Sequence, residues 1–170
     1  MRIYLVGYMG SGKSTQGKRL AKKLGLEFLD MDDMIREAAG MAIPEIFAHR
    51  GESWFREIEA DVLRSTIMHH NVVVSTGGGT PCFFDNMQWM NTRGSTVYFH
   101  LPIDILFGRL KDSKKERPLI AKLTDDELRD FIIRTVAERE YYYRKSDFTF
   151  QLDNLKLNEV AEVLRKALLS

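Results

Sequence analysis

The stretch Gly7-Tyr8-Met9-Gly10-Ser11-Gly12-Lys13-Ser14 has the spacing G-x-x-x-x-G-K-S/T of a loop that wraps backbone N–H groups around phosphate oxygens. The context it needs is also present. Arg2–Val6 reads as a buried strand before it, and the residues from Ser14 place Gly17, Leu20, Ala21 and Leu24 at helical spacing after it. Glycines let the chain wind tightly, and the following helix adds its positive N-terminal end. Gly10, Ser11, Gly12, Lys13, Ser14 and Thr15 are therefore the expected nucleotide-phosphate contacts. Lys13 should bridge the β- and γ-phosphates, and the Ser14 hydroxyl should face Mg²⁺.

Apolar runs and helix-period segments alternate outward from this loop, as in an α/β fold with a parallel sheet. Glu27–Asp30 is a short second strand, followed by a helix that ends at Gly40. Pro44 opens a helical turn up to Gly51, and a longer helix carries Phe55, Ile58, Val62 and Thr66 on one face. The run 71–75 reads as a central strand leading into Gly77-Gly78-Gly79. Downstream, the pattern predicts a helix over Phe83–Met90, a strand over Ser95–Leu101 and a helix over Ile103–Leu110. Lys111–Lys122 is basic and interrupted by Pro118, as expected of a mobile loop. Thr124 and Glu127 form a capping-box pair that opens a long helix. A strand over Asp147–Leu152 and a helix with Val160, Val163, Leu164 and Ala167 inward close the chain. The expectation is one domain over 1–170, three-layered α/β/α, with a five-stranded parallel sheet of the P-loop kinase type.

Composition narrows the classes. Of 170 residues, 44% are apolar and 29% charged, the balance of a globular chain that can bury a real core. A formal net charge of +1 gives no field to recruit nucleic acid or an anionic membrane. No apolar run approaches the roughly 20 residues of a spanning helix, and Met1–Gly7 is not a signal peptide. Cys82 is the only cysteine, which excludes an internal disulfide and fits a reducing compartment. A cytoplasmic monomer with no nucleic-acid or membrane partner is expected.

Further groups describe an acceptor. Asp30 and Asp32 lie just beyond the second strand, where open α/β sheets present ligands, although an Asp there also suits helix capping, with Asp33 the candidate cap. Arg56 follows the core position Phe55, Arg139 lies on the long helix before Tyr141–Tyr143, and Arg117 sits in the basic loop. After the central strand the chain reads Ser75-Thr76, where many P-loop proteins place a metal-binding Asp, so an ordinary ATPase or GTPase switch is disfavoured.

In order and spacing, the P-loop, Asp30-Met31-Asp32, Phe55-Arg56, Gly77-Gly78-Gly79, Arg117-Pro118-Leu119 and Arg139 resemble the shikimate kinase family over nearly the whole chain. The resemblance implies ATP-dependent phosphorylation of the 3-hydroxyl of shikimate, in the chorismate branch of aromatic amino-acid biosynthesis, with Mg²⁺ as cofactor. It implies Ser14 and Asp30 on the metal side, and catalytic roles for Lys13, Asp32 and Arg117. Shikimate would meet Asp32, Arg56, Gly77, Gly78, Gly79 and Arg139, with the two arginines on its carboxylate. Residues 111–122 would form a lid whose Arg117 reaches the γ-phosphate, and Arg109 would stack on adenine. The stretch Asp153-Asn154-Leu155-Lys156 lacks the Arg that some family members place against adenine. Trp54 is read as core or as an acceptor contact, Tyr141–Tyr143 as packing, Cys82 as a buried small residue. Rival readings are a kinase of the same fold acting on gluconate or a nucleoside monophosphate, and a nucleotide-dependent binding module without turnover.

Overall fold

The computed structural model describes residues 1–153 and 156–169. Five strands, β1 (Arg2–Val6), β2 (Glu27–Asp30), β3 (Val72–Ser75), β4 (Ser95–His100) and β5 (Phe148–Gln151), form one parallel sheet in the order β2-β3-β1-β4-β5. Seven α-helices connect and follow them: α1 (Lys13–Leu24), α2 (Met31–Ala39), α3 (Ile43–Ser65), α4 (Asn86–Arg93), α5 (Ile103–Asp112), α6 (Asp125–Tyr143) and α7 (Leu157–Leu169).

Strand alternation divides the core between the two faces of the sheet. Ile3, Leu5, Val73, Val97 and Phe99 pack on one side with Leu20 and Ala21 of α1 and Val160, Ala161 and Leu164 of α7. Tyr4, Val6, Val72, Val74 and Tyr98 pack on the other with side chains of α2 to α6. The result is the expected three-layer α/β/α arrangement. Gly17 lets α1 lie close to the sheet, since a Cβ there would stand 2.7 Å from the Phe28 ring and 2.8 Å from Leu5. An added methyl would push α1, and the loop that enters it, off the sheet. Among the described residues no helix is long and apolar enough to cross a membrane.

Some boundaries differ from the sequence pattern. The helix expected over Phe83–Met90 begins only at Asn86, after a 3₁₀ turn over Thr80–Cys82. Phe84 adopts φ 50, which no right-handed helix accommodates. The two helices expected on either side of Gly51 do form within α3, and they meet at a kink where Gly51 leaves helical geometry at φ 81 and ψ 173. On α7 Val163 and Ala167 face solvent. The buried stripe there is Val160, Ala161 and Leu164, at i, i+1 and i+4. The basic loop is shorter than its charge run, because α5 continues to Asp112 and Ile120 is fully buried. The capping box forms as read: Glu127 N–H donates to Thr124 Oγ1, and Thr124 N–H to Glu127 Oε2 at 2.8 Å.

Candidate active site

Parallel pairing carries the C-terminal ends of β1, β2 and β3 to one edge, and register does the rest. Asp30 pairs with Ser75 and Leu5 with Ser75, so the ends of three strands meet beneath the loop that follows β1. Ser14, in the first turn of α1, donates to Asp30 Oδ2 at 2.5 Å and lies 3.4 Å from Ser75 Oγ. Asp30 is also the N-cap of α2, accepting from Asp32 N–H at 2.9 Å. Asp33, the candidate cap, instead pairs with Arg36. Capping and site geometry are thus served by one residue, which fixes Asp30 in place.

The phosphate loop takes left-handed conformations at Gly10 (φ 77) and Gly12 (φ 90), which side chains resist. Lys13 is buried, and its ammonium donates to the Gly7 carbonyl at 2.7 Å and the Tyr8 carbonyl at 3.1 Å. Burial pushes its pKa down to about 8, with the Asp32 and Asp30 charges opposing the fall. The Ser11 hydroxyl is buried without a protein partner. Arg109 donates to the Gly10 carbonyl at 3.2 Å and leans on the loop's flank, beside a small crevice that Ser11 also lines. In the loop expected to face adenine, Asn154 and Leu155 lie outside the described residues.

Two cavities open side by side. One, of about 370 Å³, is lined by Gly10, Gly12, Lys13, Ser14, Thr15, Asp30, Ser75, Arg109 and Ser113 among others. The second, of about 320 Å³, is lined by Ile43, Phe47, Phe55, Arg56, Glu59, Gly79, Leu119 and Arg139 among others. Met9, Asp32, Gly77, Gly78 and Arg117 line both, so the cavities meet there. Partial burial, then the nearby Asp30 charge, raises the Asp32 pKa, while Lys13 pulls it back. Arg117 reaches this junction from the basic loop, where its Nε donates to Ser113 Oγ at 3.3 Å.

The second cavity is cationic by construction. Arg56 donates to Glu59 at 2.8 Å and to Glu52 at 3.3 Å, with its guanidinium 4.0 Å from the Phe83 ring centroid. Glu59 is itself buried and accepts from Thr80 Oγ1 at 2.7 Å, which fixes the helix-borne arginine against the glycine turn. Arg139 has no carboxylate within ion-pair distance among the described residues, although it stands over the Tyr8 ring at 5.7 Å. Among the described residues the N–H groups of Gly77, Gly78 and Gly79 meet no hydrogen-bond acceptor, while Thr80 N–H donates back to the Gly77 carbonyl. Unpaired N–H groups in a row beside two arginines make an anion-binding surface.

The catalytic, nucleotide, acceptor and metal-side residues expected from the sequence all line these cavities or the crevice beside them. Sequence reasoning missed Glu59, Phe83 and Tyr143. Glu59 was detectable, since it stands at i+4 from Phe55 and i−3 from Val62 on the apolar face of α3. A charge at such a position needs a partner, and Arg56 is three residues away. Of the three tyrosines read as packing, Tyr141 is 66% exposed and Tyr143 fully buried, its hydroxyl donating to the Gly78 carbonyl at 2.5 Å. Trp54 lines neither cavity. It packs on the core with the Arg50 guanidinium 5.4 Å from its ring.

Comparisons with known proteins point to one family. The family model described as shikimate kinase matches residues 9–169. A shikimate kinase from Bacteroides thetaiotaomicron is 45% identical over 156 residues, covering 92% of this chain and 89% of its own. A crystal structure of the shikimate kinase from that organism superimposes with TM-score 0.92 at 41% identity, covering 100% of this chain and 99% of its own. The Acinetobacter baumannii enzyme in complex with shikimate gives TM-score 0.86 at 33% identity, covering 98% of this chain and 92% of its own.

Proposed function

The chain belongs to the shikimate kinase family, and from that premise we propose that it transfers the γ-phosphoryl group of ATP to the 3-hydroxyl of shikimate. One observation carries the reading: a phosphate-cradling cavity and an arginine-rich cavity meet at Asp32, Gly77, Gly78 and Arg117. A nucleotide seated on the loop after β1 and a carboxylate held by Arg56 and Arg139 would bring donor and acceptor together at that junction. The dual arginine site suits a carboxylate through planar, bidentate donors. Its aromatic residues Phe47 and Phe55 pack on each other with ring centroids 4.6 Å apart, leaving no slot between them for a nucleobase, which disfavours a nucleoside monophosphate.

The residues carry distinct parts of the work. Lys13 leaves the Gly7 and Tyr8 carbonyls to meet the β- and γ-phosphates. Asp32 accepts a hydrogen bond from the attacking hydroxyl and takes its proton as the bond to phosphorus forms. Because the transition state is loose, much of that role is aiming the oxygen in line with the leaving group. The loop within 111–122, from the end of α5 to the buried Ile120, acts as the lid and brings Arg117 onto the γ-phosphoryl oxygens. Closing it excludes water, so that ATP is not spent on hydrolysis.

The site also fits Mg²⁺. Ser14 hydroxyl and Asp30 carboxylate are hard oxygen donors 2.5 Å apart at the mouth of the loop. No group of three or more His, Cys, Asp or Glu side chains converges among the described residues. So sparse a set suits an ion that keeps waters and takes further oxygens from the nucleotide. When bound, the ion supplies positive charge that neutralises the phosphate oxygens.

ADP release measured with shikimate, gluconate, AMP and no acceptor, side by side, tests the assignment. Shikimate should give the dominant rate. Equal or greater turnover with gluconate, or turnover independent of acceptor, would overturn it.

A further inference from the structure

Three consecutive glycines give a turn without side chains to hold it, yet the acceptor reading asks the turn to aim its N–H groups. Gly79 sits at φ −91 and ψ −15, and none of the three adopts positive φ. For glycine the mirror region is almost as accessible. A flip of the Gly78–Gly79 peptide, which swaps the faces of its C=O and N–H, would therefore meet little steric resistance from the turn itself.

What resists it is one hydroxyl. Tyr143, the last residue of α6, donates to the Gly78 carbonyl at 2.5 Å and is fully buried. Its ring lies 5.1 Å from that of Tyr98 at an interplanar angle of 34°, so the side chain is braced against the sheet. In a trans peptide the carbonyl of one residue and the N–H of the next point in opposite directions, and no peptide in the described chain is cis. Anchoring the Gly78 carbonyl toward α6 thereby sends Gly79 N–H the other way. Arg56 stands on that turn, its guanidinium 2.7 Å from where a Gly79 Cβ would be, and Arg139 lies 3.4 Å from the corresponding position at Gly78.

The same helix face reaches the nucleotide loop. Thr135, Arg139 and Tyr143 follow one another at i+4 spacing along α6, one above the next. Thr135 Oγ1 donates to the Phe131 carbonyl at 2.7 Å, so the Tyr8 hydroxyl, 2.5 Å away, is the donor to Thr135. One stripe thus holds the phosphate loop at one end and the glycine turn at the other, about 12 Å apart along the axis.

We propose that Tyr143 is a positioning residue for the acceptor: its hydroxyl fixes the Gly78–Gly79 peptide so that Gly79 N–H joins Arg56 and Arg139 in holding the carboxylate. The proposal rests on the shikimate reading, deepens its acceptor site, and assigns Tyr143 no contact with the substrate.

Tyr143→Phe is the test, because it keeps the ring in its packing and removes only the hydroxyl, which donates to the Gly78 carbonyl and also meets the Arg139 side chain. The KM for shikimate should rise about 10-fold, the scale of one hydrogen bond to a charged group, while kcat and the KM for ATP stay within about twofold. The preference for shikimate over its methyl ester should narrow in the variant, since one of the carboxylate's donors is no longer aimed. An unchanged KM for shikimate would overturn the proposal. So would a fall in Tm with both KM values rising together, which is the mark of a merely structural tyrosine. If the wild-type protein shows no shikimate-dependent ADP release, the functional reading itself fails and this proposal falls with it.

Discussion

In the nucleotide cavity the largest contiguous group of lining residues, within Met9 to Thr15, sits on a single loop–helix unit. The acceptor cavity is assembled from α2, α3, the turn after β3, the loop after α5 and α6. The first holds its cation in reserve: Lys13 is buried on the carbonyls of its own loop. The second lines its wall with cations, Arg56 braced by Glu59 and Arg139 without an anionic partner among the described residues. A contiguous site is rigid because of its backbone path. A dispersed one is rigid only through the buried contacts that tie its pieces together.

The contrast breaks most visibly at Lys13. Lys13→Met, which keeps the side-chain volume, should lower kcat by about 10³-fold, as expected when a preorganised charge is withdrawn from a phosphoryl transition state. Circular dichroism should show an intact fold. Near-normal turnover in the folded variant would remove the phosphate-loop assignment.

Arg117 lies where the two cavities join, so its loss should register in the chemical step and in neither binding constant. Arg117→Ala should reduce kcat about 10²-fold with the KM for shikimate nearly unchanged. Proteolysis after Lys114 or Lys115 should slow when nucleotide and shikimate are both present. An effect confined to KM would make the segment an ordinary solvated turn.

On the acceptor side the penalties should be smaller and should fall on binding. Replacing shikimate with its methyl ester should weaken binding by about 1.5–3 kcal/mol. Glu59→Ala leaves the 11%-exposed Arg56 side chain with Glu52 alone. It should destabilise the protein by about 1–3 kcal/mol in urea titrations and raise the KM for shikimate, with the KM for ATP unmoved. If both KM values moved together, Glu59 would be a general brace rather than a support for Arg56.

The subtlest difference is protonic. Burial holds Lys13 near a pKa of about 8 in the free protein, so near pH 8 about half the molecules lack that proton. Phosphate beside the amine favours the charged form and restores the pKa toward its ordinary value. ATP binding at pH 8 should then take up about half a proton, more at pH 9 and almost none at pH 6, with affinity weakening as pH rises above 8. Calorimetry in buffers of different ionisation enthalpy reads this directly, and Lys13→Met should abolish it. The same depressed pKa works against the free fold at neutral pH. That cost fades as pH climbs from about 8 toward the unfolded value near 10.5.

The legibility of the two cavities in the sequence follows from their construction. The phosphate loop, β1 and α1 are local, so spacing alone placed Lys13 and Ser14. Asp32, Arg56, Gly78 and Arg139 were legible only as an ordered set, because nothing in one segment says which others it will face. Glu59 and Tyr143 stayed hidden because their function passes through another residue, and burial makes a supporting side chain look like packing. Phe84 shows a different limit: its positive φ ends a helical pattern that the apolar spacing alone would have started three residues earlier.

The glycine turn after β3 has an evolutionary consequence. A methyl group at Gly77 would meet Glu59 and Thr80 at 2.9 Å, at Gly78 the Met9 amide at 3.2 Å, and at Gly79 the Arg56 guanidinium at 2.7 Å. Glu59 and Arg56 line the second cavity, Thr80 holds Glu59, and Met9 lines both cavities. A substitution that thickened this wall against an inhibitor would therefore also displace Glu59, Thr80 or Arg56, or press on the Met9 amide. Phe47 and Leu119, 37% and 74% exposed at the opposite rim, have no such constraint. Resistance would have to arise there, so compounds that lean on the turn and leave that rim untouched should be the slowest to select escape.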